Sequence, residues 1–260
     1  MNASSTRTLP RTAPPGALGK IVLNEARLAW RVPGGLVSGI GIPVVLLVIF
    51  GELPHFHQHL AIYGGDTEFE VYVPTLIVFS ITMLALWGIP NQLVSYREQG
   101  ILRRLSTTPA SPLWLLAAQV VVQLCITVTG IVVMIVLSVT AFSATAPRNY
   151  GGLILSIALC IAGLFGIGLS IAAVARTSGG AGNLGRVAFF PLMFFAGLWD
   201  PLANMPQWVQ DIGHYTPVGA AVEALQDSAQ GTFPPFAPLL TMVGYAVVFI
   251  IIAWRFFRWE

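Results

Sequence analysis

The chain has 260 residues, of which 55% are hydrophobic and 9% charged, and its mean hydropathy is +0.77. A soluble domain carries about 25% charge, so this composition excludes an ordinary soluble fold and points to transmembrane helices of roughly 20 apolar residues each. The formal net charge of +2 says little as a total; where the charges fall along the chain says more.

Residues 1–15 are polar, rich in Ser, Thr and Pro, and carry Arg7 and Arg11. They read as a disordered cytoplasmic tail, without the apolar stretch of a secretory signal. Residues 16–32 predict a surface helix. Lys20, Asn24, Arg27 and Arg31 share one face, and Leu18, Val22, Ala26 and Ala29 share the other. Such a helix lies in the membrane interface with its basic face toward lipid phosphates. Glu25 falls among the apolar positions; it either snorkels to water or pairs with an arginine of the 96–109 loop. Pro33-Gly34-Gly35 then turns the chain into the bilayer.

The apolar runs predict an all-α integral membrane protein with six spans, near 36–50, 71–94, 113–142, 153–174, 187–198 and 236–254. Gly39, Gly41 and Pro43 interrupt the first, which neighbouring helices can accommodate. Residues 52–70 read as an outer loop with Glu52, Asp66, Glu68 and Glu70. His55, His57 and His59 alternate within it; with no acidic or cysteine partner set nearby, solvation explains them better than a metal. Residues 176–186 read as a small basic loop. Cys125 and Cys160 sit inside apolar runs and read as packing residues.

Orientation follows from the basic residues. With both termini inside, Arg7, Arg11, Lys20, Arg27, Arg31, Arg97, Arg103, Arg104, Arg176, Arg186, Arg255 and Arg258 are cytoplasmic, and only Arg148 is outside. That asymmetry sets topology. The expected location is a cell membrane, as a multi-pass protein of a bacterial inner membrane.

No span carries Asp, Glu, Lys or Arg near its centre. A charge there costs about 2.5–3.5 kcal/mol on insertion scales and marks an ion or proton path. Its absence argues against proton-driven transport, and no G-x-S-x-G motif or Ser/His pair suggests an intramembrane protease. The phosphate-binding loop needs G-x-x-x-x-G-K-[ST]; the single lysine, Lys20, is followed by Ile21. The chain therefore reads as no enzyme, with no catalytic residue, metal or cofactor of its own. If it does work, the energy enters from another polypeptide.

Two polar stretches remain. In Tyr96–Pro109, Ile101, Leu102 and Leu105 form an apolar patch flanked by Arg97, Arg103 and Arg104. A loop that only sets topology needs the arginines but not Glu98, Gly100 or the leucine pair; a groove on a protein partner would use them all. In residues 199–235, Pro206 and Trp208 start one short helix and Thr216-Pro217 starts another. Val218, Ala221, Val222, Leu225 and Ala229 form the apolar stripe of the second, with Glu223, Gln226, Asp227 and Gln230 opposite and Gly231 ending it. It reads either as an interfacial helix or as an outer plug narrowing the exit of a substrate path.

Arg97-Glu98-Gln99-Gly100-Ile101-Leu102-Arg103-Arg104-Leu105-Ser106-Thr107-Thr108-Pro109 resembles the R-E-x-G-T-L-R-R-L-x-x-T-P stretch of ABC type-2 exporter permeases. Phe190 to Pro201, with Met205-Pro206-Gln207-Trp208, is similar to that family's F-P-x-x-F-x-S-G-x-x-x-P-x-x-x-x-P-x-W signature, and Tyr215-Thr216-Pro217 to its entry into the last outer helix. Ile101 replaces the usual threonine and Ala196 the usual serine. The resemblance implies an elbow helix over 16–32 and a cytoplasmic coupling helix carrying Arg97, Glu98, Gly100, Leu102, Arg103, Arg104 and Leu105. It also implies short re-entrant outer helices with Trp208, Pro217 and Glu223 before the last span. Residues 16–260 would form one type-2 transmembrane domain. The implied partners are a cytoplasmic ABC ATPase, which would bind ATP and Mg, a second permease copy or paralogue, the lipid bilayer, and a small apolar or amphipathic substrate; no nucleic acid is implied. The alternative is a membrane anchor or assembly factor that recruits a cytoplasmic partner without transport.

Overall fold

The computed structural model describes residues 17–31, 34–59, 65–101 and 112–256. Among them the regular structure is helical, apart from an isolated His59–Thr67 bridge. The end holding α1 (Ala17–Arg31), the last turn of α3 (Glu68–Glu98) and residues 175–178 is here the base. The end holding residues 53–59, 65–67, 143–149 and 196–235 is the apex.

Among the described residues, five helices are long and apolar enough to cross a membrane: α2 (Gly34–Glu52), α3, α4 (Pro112–Phe142, the span counted from Trp114), α5 (Tyr150–Val174) and α9 (Phe236–Phe256). The span expected near 187–198 falls in α6 (Ser178–Phe195), which is not among them. Asn183 and Arg186 lie within it, and they lower its hydropathy. α3 and α5 form the centre, with 78% and 61% of their spans buried, against 22% for α2, 33% for α4 and 28% for α9. The outer helices turn valines, leucines and isoleucines outward, as a surface facing lipid or another protein requires.

The boundaries differ from expectation where caps act. α3 starts at Glu68 rather than near residue 71 because Thr67 and Glu70 form a reciprocal capping box. The Glu70 carboxylate accepts from Thr67 N at 2.9 Å, and Thr67 Oγ1 accepts from Glu70 N at 3.2 Å. α5 starts at Tyr150 because Asn149 Oδ1 accepts from Gly152 N at 3.0 Å. α6 absorbs most of the expected 176–186 loop, since Thr177 Oγ1 accepts from Gly180 N at 3.1 Å and caps it. Each bond satisfies an amide that a helix start would leave orphaned.

The dipeptide Ile-Pro occurs at 42–43 and at 89–90, and each copy follows a π turn, Val37–Gly41 in α2 and Leu84–Gly88 in α3. Proline has no N–H and crowds the carbonyl four residues back. In α2 that carbonyl belongs to Gly39, and Ser80 Oγ of α3 supplies the missing donor. In α3, Ile89 N reaches past Ala85 to Leu84 O. Pro90, next in line, offers no donor to Leu86 O, four residues back. Glycines crowd this turn. Gly168 of α5 packs on the Ala85 carbonyl, and a Cβ on Gly185 of α6 would stand 2.6 Å from Leu86 O. Small residues also seat α9 along α5, where Ser170 Oγ donates to Phe249 O at 2.9 Å.

Candidate functional site

At the base, α1 lies along α4 and reaches the end of α3. Lys20, Asn24, Arg27 and Arg31 are exposed, as their shared face predicts. The inward line is Ile21–Glu25–Leu28, packed with Tyr96, Ile101 and Leu115; of the expected apolar face, Val22 and Ala29 are half-buried and Ala26 is exposed. Glu25 is only 5% exposed and neither snorkels to water nor meets an arginine among the described residues. Its Oε2 accepts from the Tyr96 hydroxyl at 2.7 Å, and that hydroxyl accepts from Gln92 Nε2 at 2.6 Å. Burial pushes the Glu25 carboxyl above its ordinary range, while the Tyr96 bond pulls it back.

The next two residues of α3 hold the α5–α6 connection. Arg97 Nη2 donates to the carbonyl of Ala175, the residue that follows α5. Glu98 Oε1 accepts from Ser178 N at 3.1 Å, at the first residue of α6. A carboxylate there also opposes the positive end of the helix dipole. Gly100 then leaves α3 with a φ of 66°, a left-handed conformation that costs glycine little. Leu102, Arg103, Arg104 and Leu105 lie outside the described residues. The structure thus brings Glu25, Arg97, Glu98 and Gly100 to one junction, and shows that Arg97 and Glu98 bind backbone of their own chain.

At the apex, α7 (Gln207–His214) begins after Pro206 and leaves Trp208 exposed. α8 (Pro217–Gln230) is capped by Thr216, whose Oγ1 accepts from Gly219 N at 3.0 Å, and ends at Gly231 with a φ of 100°. Val218, Ala221, Val222 and Leu225 are buried as expected, and Ala229 is half-buried. Gly219, Ala220, Ala224 and Ser228 are buried too, since α8 packs between α5 and α9 and touches α3 and α6. The amphipathic pattern underestimates this, because small residues register as weakly apolar although they allow the closest approach. Glu223 Oε2 meets His214 Nδ1 at 2.6 Å. Gln226 Nε2 donates to Val71 O at 3.2 Å, and Gln230 Nε2 to Asp66 at 3.0 Å. Burial, and then the charge of Glu223, raise the Asp227 carboxyl above its ordinary range.

The histidines bind locally. His57 Nε2 meets Gly51 O at 2.7 Å, His59 Nδ1 meets Gly65 O at 2.8 Å, and His55 lies 3.4 Å from Glu68. Cys160 is buried, but Cys125 is exposed on the surface of α4.

The two polar stretches sit at opposite ends of α3, the base through Tyr96–Glu98 and the apex through Glu70 and Val71. Residues 18–229 match the family model described as ABC-2 type transporter. The chain is 26% identical over 202 residues to the ycf38 protein of Pyropia yezoensis, covering 75% of this chain and 67% of that one. It is 23% identical over 183 residues to YvfS of Bacillus subtilis (strain 168), covering 70% and 74%. It is also 27% identical over 191 residues to the inner membrane transport permease YhhJ of Escherichia coli (strain K12), covering 69% of this chain and 50% of that protein. A match across that much of the chain, over a helical frame with five membrane-length helices, makes this protein a multi-pass member of the ABC-2 type transporter family.

Proposed function

We propose that this chain is the permease subunit of an ATP-driven exporter, powered by a separate cytoplasmic ATPase that engages residues 97–109. The observation that carries the reading is the junction at the base. Tyr96, Arg97 and Glu98 are consecutive on α3 and hold, respectively, α1, the end of α5 and the start of α6. A push on the segment after Gly100 therefore reaches three elements at once, and through α3 it reaches the apex. Such a push does work only if the helix frame has two arrangements that the nucleotide state of the partner biases.

In this reading the base faces the cytoplasm, where all the basic residues but Arg148 fall. Both termini lie there, in a bacterial inner membrane. α1 is the elbow helix, α6 the fifth of six crossings, and α7 and α8 the re-entrant cover of the exit. Two permeases and two ATPases make the working unit, and ATP and Mg are held by the ATPase. The cargo is an apolar or amphipathic drug, antibiotic or lipid-like molecule, because the spans offer Leu, Val, Phe, Trp and Met and no central charge. Replacing Arg103 and Arg104 by glutamate should abolish permease-dependent stimulation of the ATPase while membrane insertion stays intact. Unchanged stimulation refutes the coupling role. A pair that binds stably but never shows cargo-dependent ATP turnover favours an anchor without transport.

A further inference from the structure

The apex holds a cavity of about 630 Å³ between α3, α4, α5, α8 and the 196–210 segment. That volume falls within the roughly 300–1,000 Å³ of small-molecule sites. Ile77, Ile135, Leu153 and Leu225 supply apolar wall, and Asp66, Glu70, Glu223 and Arg148 supply the charge. The charge is lopsided. Glu70 accepts from Thr67 N, Thr67 Oγ1 and Thr145 N, at 2.9, 3.0 and 2.8 Å, Asp66 from the Gln230 amide, and Glu223 faces His214. Among the described residues, none of the three carboxylates is paired with an arginine or lysine. They are half-buried, so water screens them less than it screens surface groups.

We infer that this apical cavity is a binding site for a hydrophobic cation of drug size, its apolar body against Ile77 and Leu225 and its charge toward Glu70 and Glu223. The inference deepens the export reading, on which the cavity would lie on the outer side, along the path of release. It is nevertheless tested by binding alone, without the ATPase, so its failure leaves coupling untouched and a failure of coupling leaves it standing.

The experiment uses the full chain in nanodiscs and two ions of nearly equal shape and opposite charge, tetraphenylphosphonium and tetraphenylborate. Saturable tetraphenylphosphonium binding is expected, weakened about tenfold by Glu223→Gln. Ala203→Trp, a substitution at an exposed cavity-lining position, should weaken it similarly by filling the space. Tetraphenylborate should not compete. The inference is overturned if the two ions bind alike, or if tetraphenylphosphonium binds unchanged to both variants while their melting matches the parent.

Discussion

Replacing Gly185 by alanine would place a methyl group 2.6 Å from the Leu86 carbonyl oxygen, and ordinary contact begins at 3.4 Å. The obstacle is backbone, so no rotamer change relieves it; α6 must draw back from α3 by roughly 0.8 Å. Overpacking of that kind costs about 1–3 kcal/mol, against a gain of about 1 kcal/mol from the better helix propensity of alanine. Gly244 of α9 supplies the control, since a Cβ there meets nothing within 4 Å. Its alanine variant keeps the propensity gain and pays no clash. Reversible unfolding in mixed micelles of detergent and SDS, followed by tryptophan fluorescence, should separate the two variants by about 1–3 kcal/mol, with Gly185→Ala the less stable. Gly168→Ala, which meets the Ala85 carbonyl more closely still, should fall at least as far. Equal stability of Gly185→Ala and Gly244→Ala would refute the claim that glycine seats α6 against the π turn.

Other expectations follow from single contacts. Tyr96→Phe leaves the buried Glu25 carboxylate without its donor, which costs about 1–3 kcal/mol; faster proteolysis within residues 17–31 should report the loosened α1. The raised Glu25 carboxyl means that the folded chain binds this proton more tightly than the unfolded chain does. That contribution is complete below the ordinary value of 4.5 and is lost as pH rises through the folded value. The stability of the parent relative to Glu25→Gln should therefore fall with rising pH above 4.5, and a flat difference between their melting curves would contradict the assignment. Thr67→Ala removes the cap of α3 and should cost about 1 kcal/mol, with hydrogen exchange rising first at residues 68–71.

What the sequence made legible were features set by neighbours along the chain. Runs of Leu, Val and Ile located the membrane-length helices, and Thr216-Pro217 with Gly231 located both ends of α8, because caps act over a few residues. Thr67-x-x-Glu70 carries the capping-box signal too, but Glu68 and Glu70 share the acidic composition of the 52–70 loop. Thr177 caps α6 over three residues, but Arg176 and the glycines that follow it give 176–186 the composition of a loop. Glu25 was recognisable as an exception to its helix face, yet its partner Tyr96 lies 71 positions away, and no periodicity names a partner at that distance. The cavity was hidden for the same reason: Glu70, Arg148 and Glu223 come from separate elements that only the fold brings to one wall.

The arrangement of α3 explains why one helix can serve both ends. Its last turn is tied to α1 and to the α5–α6 connection, and its first turn to the 144–145 segment and α8. A straight helix fixed so firmly at both ends would move as one piece or not at all. The Leu84–Gly88 turn interrupts that rigidity, since Ile89 N bonds Leu84 O in a π turn and Pro90 withdraws a donor. Cheap distortion is therefore concentrated at one level of the helix. Gly39 of α2, Gly168 and Gly185 all converge on that level, so the neighbours approach where the backbone is softest. On the proposed coupling, a movement entering at Tyr96–Glu98 and travelling along α3 passes this turn before it reaches Glu70. Substitutions that stiffen or crowd the turn should therefore alter communication between base and apex even where both ends remain chemically intact.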